Sequence, residues 1–153
     1  MQQEVRVSEG LLVGIFWNNP EQYNFFPKDK IHTDTFLNKV YGFYFGLGRY
    51  MYEEKGIKYF DELSVAQAIT ELGLEDKYKY YGEYETIEEL MIASKDLFDN
   101  LDGYYQEIKK YNLLKNLVDL FGEKVLAETD KYNYKKMNKN QIHLYWHERV
   151  NRL

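Results

Sequence analysis

Cysteine is missing from this sequence of 153 residues. Its absence excludes a disulfide framework, a thiolate metal site and a cysteine nucleophile. Positive charge is also short, because 20 Lys and Arg stand against 25 Asp and Glu, which gives a net charge of −5. A chain of this charge has no bulk attraction to phosphates or to anionic lipid, so we expect little direct binding to nucleic acid and none to membranes.

Three longer sequence patterns are absent as well. No apolar run reaches the roughly 20 residues that cross a membrane, and the polar start MQQEVRVSEG has no signal-peptide features. The pattern G-x-x-x-x-G-K-[ST], which holds nucleotide phosphates, does not occur. We therefore expect a cytoplasmic protein without a catalytic, cofactor or metal site in this chain.

Proline is scarce, and its two positions divide the chain. After Pro20 and Pro27, nothing interrupts the hydrogen bonding of a helix. Before them, residues 8–17 are predicted as a first helix that Ser8 caps, with Glu9 at the positive end of the helix dipole. A short second helix is predicted to begin at Pro20 and to end at Pro27.

Helix signals dominate the rest of the chain. An apolar stretch predicts a central helix over residues 34–54. Ser64 and Thr86 open capping boxes, which predict one helix that closes at Gly73 and another that runs to about residue 97. The tyrosine-rich segment YKYYGEY between them is expected to be a loop or a frayed helix, because an isolated strand has nothing to pair with.

The longest predicted helix runs from Asn100 to Phe121 and changes its apolar face midway. At about 100° per residue, the apolar residues up to Ile108 lie roughly opposite those from Leu113 onward. We expect the first half to pack on the head of the domain and the second half on another surface. A helix from about Lys139 offers such a surface.

These signals predict an all-α fold, with a globular multi-helix head over residues 1–98 and an antiparallel helical hairpin over residues 99–153. A lone hairpin of this length is marginal in water, so we expect hairpins of different subunits to pack together. The residues expected to mediate this self-association are the apolar ones on the two facing stripes: Leu113, Leu114, Leu117, Leu120, Phe121, Ile142, Tyr145, Trp146 and Val150.

Two groups of side chains suggest metal binding as an alternative. His143 and His147 lie four residues apart and share a helix face, but no third ligand is evident and the motif H-E-x-x-H is absent. A polar surface or interface role is therefore favoured for both. The glutamates between residues 83 and 89 fit a cation site and a solvated helix N-terminus about equally well.

Two further segments each have a structural and a functional interpretation. Gly42, Gly46 and Gly48 suggest a phosphate-binding loop, but they lie in an apolar helical pattern, which favours close helix packing. The lysines from Lys131 to Lys139, interleaved with tyrosines, suggest contact with nucleic acid. The acidic balance of the chain favours a solvated loop there.

Taken in order, these elements resemble the N-terminal domain of DnaB-type replicative DNA helicases, including their phage relatives. The stretch VGIFWNNP at residues 13–20 is similar to the family's opening leucine-glycine-apolar-aspartate-proline stretch. Residues 56–61 look like its glycine-to-aspartate turn, Gly82 with Leu90 like its glycine-rich turn and following helix, and LLKNLVDLF like part of its hairpin. The sequence departs from the family pattern where the usual proline of the glycine-to-aspartate turn is missing and where Tyr and Phe fill helices that are usually alanine-rich.

The resemblance implies a non-enzymatic domain that forms the collar of a ring-shaped helicase in DNA replication, in a bacterial cell or a phage-infected host. It implies self-association, from dimer to hexamer, and docking of a primase or a helicase loader. ATP and Mg would belong to a RecA-like motor domain that this chain lacks. The alternatives are a stand-alone helicase-binding adaptor, similar to the C-terminal helicase-binding domain of primases, and a metal-dependent hydrolase that uses His143 and His147.

Overall fold

The computed structural model describes residues 2–122 and 138–142, with the backbone alone for residues 2–4. Within these ranges the chain forms helices and no strand, which confirms the predicted all-α fold. The α-helices are α1 (Gln2–Asn18), α2 (Lys39–Glu53), α3 (Glu62–Leu72), α4 (Glu75–Tyr80), α5 (Glu83–Ala93) and α6 (Leu101–Phe121). Short 3-10 helices cover Pro20–Asn24, Thr33–Thr35 and Phe98–Asn100. In this part of the chain, no helix is long and apolar enough to cross a membrane.

Helix α1 lies at the centre of the molecule, where it packs against α2, α5 and α6. Its C-terminal half is buried all round, because the side chains of Leu12, Val13, Ile15, Phe16 and Trp17 are at most 1% exposed. A helix with no solvent face is a core helix. The sequence predicts this position for α2, which is also largely buried and contacts α1 and α3, and α1 shares that position with it.

The predicted start of the first helix is wrong. Helix α1 begins at Gln2, so Ser8 lies inside it and does not cap its N-terminus. Glu9 therefore does not face the dipole of its own helix. Its carboxylate instead accepts hydrogen bonds from the backbone N–H groups of Leu37 and Asn38, at the N-terminal end of α2.

Glycines on α2 bring neighbouring parts of the chain into close contact. A Cβ atom at Gly42 would overlap the carbonyl oxygen of Thr33, and one at Gly48 would overlap the hydroxyl of Tyr23. Gly46 likewise faces the Thr33 hydroxyl. All three glycines lie inside the regular helix, which confirms close packing over a phosphate-binding loop.

The helix ends in the middle of the chain agree only in part with the prediction. Helix α3 ends at Gly73, whose φ is +65°, as expected for a left-handed cap. Its N-cap is Asp61, whose carboxylate accepts the Ser64 N–H at 2.7 Å, so Ser64 lies in the first turn and is not the cap. Helix α5 begins at Glu83 rather than at Thr86, and the segment expected to be a loop or a frayed helix contains part of α4.

Helix α6 crosses the head antiparallel to α1. Near its start, the ring of Tyr105 packs on Phe26 at 5.1 Å between centroids, and Phe26 lies against the C-terminal end of α1. Further along α6, the Asn112 amide donates to the carbonyl of Thr35, next to the segment that Glu9 of α1 binds. The two helices therefore run in opposite directions.

The head and α6 share one core. Leu101, Ile108 and Leu114 of α6 belong to the same buried cluster as the side chains of α1, and so does Ile142. The core thus continues across the position, between residues 98 and 99, where the head is predicted to end. The predicted antiparallel hairpin includes residues outside the described ranges and stays a prediction.

Candidate functional site

The buried side of α6 turns along the length of the helix. Leu101 and Ile108 are buried in its first half, and Leu114 and Leu117 are buried in its second half. At about 100° per residue, Leu117 lies roughly 160° around the helix from Leu101. The burial pattern therefore follows the change of face that the sequence indicates.

Three of the residues predicted for self-association are inside the subunit itself. Leu114 is 1% exposed, Leu117 is 7% exposed and Ile142 is fully buried, all in the shared core. Their apolar area is already removed from water in a single chain, so these side chains stabilise the fold of one subunit. Three more residues of the predicted set lie outside the described ranges: Tyr145, Trp146 and Val150.

The remaining three residues form a partly exposed apolar strip, which we call the α6 strip: Leu113, Leu120 and Phe121. Leu120 is 76% exposed, whereas Leu113 and Phe121 are half-buried. Leu113 and Leu120 are seven residues apart and so lie on the same side of the helix. A single exposed leucine is ordinary on a protein surface, and Leu63 on α3 is 67% exposed. The α6 strip differs because it extends an apolar face that is buried on the same helix.

Helix α6 is firmly held beneath this strip. The Lys109 ammonium donates to the Lys30 carbonyl at 3.1 Å, and the Asn112 amide donates to the Thr35 carbonyl at 2.5 Å. These bonds attach the middle of α6 to the segment that precedes α2. The strip thus begins directly after the part of α6 that is bonded to the head.

Glu9 is the most deeply buried acid in the described ranges, with no exposed surface. Its two carboxylate oxygens accept from the Leu37 N–H at 2.5 Å and from the Asn38 N–H at 3.1 Å. Burial raises the pKa of Glu9 to about 7, and the two backbone hydrogen bonds partly offset that increase. Glu9 therefore changes its charge near neutral pH.

Arg49 is the corresponding buried base and is 5% exposed. Its guanidinium donates to the carbonyls of Phe26 and Ile31, at 2.6 and 2.9 Å, and pairs with Glu53 at 2.8 Å. The same group lies about 5 Å from the ring centre of Tyr23. Arg49 thus supplies hydrogen-bond donors to two carbonyls of the segment between α1 and α2, and its bonds indicate a structural role.

The described residues do not form a metal-binding arrangement. Within residues 2–122 and 138–142, no group of three or more His, Cys, Asp or Glu side chains is arranged to hold a metal ion. The side chains of Glu83, Glu85, Glu88 and Glu89 are exposed along α5. The two histidines proposed as ligands, His143 and His147, lie outside the described ranges.

The lysine-rich segment can be followed only at its end. Lys131, Lys135 and Lys136 lie outside the described residues, and Lys139 lies in a helical turn over residues 139–142. Lys139 lines a cleft beside Lys109. The structure therefore places Lys139, the last lysine of this segment, close to Lys109 of α6.

Sequence patterns did not reveal the roles of Glu9 and Arg49. Both lie in apolar helical stretches, and their partners are backbone groups far along the chain, 28 residues away for Glu9 and Leu37. Nothing in local spacing identifies such a partner. A charged residue inside an apolar helix is itself the available signal, because a buried charge needs a partner.

Comparisons of the chain with protein family models, with curated proteins and with solved structures found no match.

Proposed function

We propose that this chain is a non-enzymatic helical domain that assembles with copies of itself and docks a partner in DNA replication. In this proposal the chain acts as the N-terminal domain of DnaB-type replicative helicases does, a domain that the sequence resembles. The observation that carries the proposal is Leu120, which is 76% exposed on the helix whose pattern predicts assembly. The docked partner would be a primase or a helicase loader.

The order of α6 supports an interface role. Its middle is bonded to the segment before α2 through Lys109 and Asn112, so the start of the α6 strip lies next to anchored residues. A surface that is ordered in advance loses less conformational entropy on binding than a mobile one. This pre-ordering therefore favours binding through α6.

The size of the strip favours the second candidate, a monomeric adaptor that binds a helicase. Stable specific interfaces bury roughly 1,200–2,000 Å² in total. One strongly exposed leucine with two half-buried neighbours supplies a small part of such an area. So small an area fits a transient contact with a helicase better than a permanent assembly, which would need further surface from residues beyond the described ranges.

A charge placed in the α6 strip tests the proposal. We expect Leu120→Asp to weaken self-association, because an aspartate in the contact would lose its water without gaining a partner. Sedimentation velocity over a series of protein concentrations measures the change. Since Leu120 is exposed, the substitution should alter the free energy of unfolding by only about 0.5 kcal/mol.

Leu63→Asp is the matched control, because Leu63 is also a leucine on a helix and is 67% exposed. It should leave self-association unchanged. Equal weakening by both substitutions would show that the effect is general and not due to the α6 strip. A wild-type chain that stays monomeric at all concentrations but binds a replicative helicase would favour the adaptor.

A further inference from the structure

Two neighbouring clefts flank the 3-10 helix Thr33–Thr35. The first cleft has a volume of about 480 Å³ and lies between the N-terminal end of α2, α4 and α6. Its charged lining residues are Lys39, Lys77, Lys115 and one acid, Asp34. Three separate helices thus each contribute one lysine to the same depression.

The second cleft has a volume of about 400 Å³ and shares Asp34 with the first. It lies between the 3-10 helix and α6 and is lined by Lys109, Lys139 and His32, together with two asparagines of α6. Burial and the nearby charge of Lys139 lower the pKa of Lys109. The two ammonium groups therefore repel each other, and an anion between them would relieve this repulsion.

The charge that lines the two clefts is opposite in sign to the net charge of the whole chain. Five lysines and a single carboxylate line them, although the net charge of the chain is −5. In the part of the chain that the structure describes, none of these five lysines forms an ion pair. A third cleft beside the same 3-10 helix differs, because Lys28 and Arg49 there face Glu53 and Glu54. The excess of positive charge thus distinguishes the first two clefts from this third one.

Aromatic rings lie next to these lysines. Phe43 and Tyr81 line the first cleft with ring centres 5.1 Å apart. Tyr80 lies 5.4 Å from Tyr81 and is 85% exposed. Of these rings only Tyr80 is exposed, at the edge of the cleft next to Tyr81, and an exposed ring beside lysines is where an unpaired base of a single strand can stack while its phosphates meet the cations.

We propose that the two clefts bind the backbone of a single-stranded nucleic acid, with phosphates at the five lysines and a base stacked on Tyr80. A duplex fits less well, because its bases are already paired and stacked. An acidic peptide would satisfy the lysines but would make no use of the exposed ring. The inference rests on side chains other than those proposed for assembly, since none of the five lysines belongs to the α6 strip, although Leu113 of that strip borders the second cleft.

Salt dependence is the direct test of the phosphate contacts. Fluorescence anisotropy of a labelled oligothymidylate with the full chain should show binding whose logarithm falls with the logarithm of salt concentration by roughly 0.7 per phosphate contact. The double substitution Lys77→Gln with Lys115→Gln should reduce that slope by about 1.4, because two contacts are lost. Lys58→Gln with Lys95→Gln, which removes two exposed lysines outside the clefts, should leave the slope unchanged.

Stacking is tested separately, with a tyrosine pair. Tyr80→Ala should weaken binding without a change in the salt slope, whereas Tyr59→Ala should have no effect although Tyr59 is 87% exposed. The proposal is overturned if the wild-type chain does not bind oligothymidylate, or if the control lysine pair lowers the slope as much as the cleft pair. Binding of polyglutamate but not of oligothymidylate would also overturn it and would assign the clefts to an acidic protein.

Discussion

Two buried charged side chains hold the segment between Asn24 and Lys39 in place. Glu9 of α1 accepts hydrogen bonds from backbone N–H groups near the end of this segment. Arg49 of α2 donates hydrogen bonds to two of its carbonyls. This segment has little regular structure, so its backbone groups that face the core need partners. The acid supplies acceptors and the base supplies donors, so the segment is held from both sides.

The titration of Glu9 should make the fold less stable as the pH rises. Burial raises its pKa from 4.5 to about 7, so between those values the folded state keeps a proton that the unfolded state has lost. The free energy of unfolding should therefore fall as the pH rises from about 4.5 to about 7, by roughly 3 kcal/mol at 1.36 kcal/mol per pKa unit. Urea denaturation at a series of pH values measures this slope.

Glu9→Gln is the variant that isolates the effect, because glutamine does not titrate. We expect the variant to be less stable than the wild-type protein at low pH, since its amide nitrogen faces a backbone N–H. Its free energy of unfolding should also vary much less with pH. An unchanged slope in Glu9→Gln would show that the pH dependence does not come from Glu9.

Individual residues show where sequence patterns fail. Glu9 follows Ser8 in a pattern that is typical of a helix start, because a hydroxyl followed by an acid suits both the cap and the dipole. The helix nevertheless begins at Gln2, and the acid serves the N-terminus of another helix. A local pattern carries no information about a partner 28 residues away.

At the scale of elements, the close approach of the α1 backbone to α5 determines how these two helices pack. Gly14 lies where α1 meets α5, and a Cβ atom there would overlap the carbonyl oxygen of Leu90 and the hydroxyl of Ser94. The Asn18 amide donates to the Met91 carbonyl at 2.8 Å across the same contact. The position of α5 on α1 therefore depends on the missing side chain at Gly14.

Gly14→Ala should destabilise the protein by about 1–3 kcal/mol, because the added methyl group would force α1 and α5 apart. Gly103→Ala is the matched control, since Gly103 lies in the exposed first turn of α6 with open space where its Cβ would be. That substitution should stabilise the helix by about 0.5–1 kcal/mol. Thermal or urea unfolding of both variants measures the difference, and a Gly14→Ala protein as stable as the wild type would contradict the close approach.

The sequence predicts which helices exist better than where they begin. Helix α6 and the end of α3 are at their predicted positions because Gly122 and Gly73 stop helices through their own backbone preference. The start of α5 is wrong, since Thr86 lies inside a helix that begins directly after Gly82. A glycine that ends a helix does so through its own backbone preference, which can be read from the sequence. Which of several neighbouring residues begins a helix depends on the packed structure.

The lysine clefts also could not be predicted from the sequence. Lys39, Lys77 and Lys115 are far apart along the chain and meet only because α2, α4 and α6 converge there. The sequence shows instead the run from Lys131 to Lys139, of which only the last member lies in the described ranges. Periodicity can predict a face of one helix, but a site built from three helices requires their arrangement.

At the scale of the whole molecule, the two proposals concern adjoining surfaces. Leu113 belongs to the α6 strip and also lines the second cleft, beside Lys109 and Lys139. Assembly through α6 would therefore place one basic cleft of each subunit next to its interface. A ring of such subunits would carry a repeated pattern of positive clefts on an otherwise acidic protein.

The number of copies in the assembled protein tests the central proposal most directly. Native mass spectrometry of the 153-residue chain at increasing concentration should show species of three or six copies, which Leu120→Asp shifts to monomer and Leu63→Asp does not. A strict monomer at the highest concentration, for the wild-type protein and for both variants alike, would contradict assembly through α6.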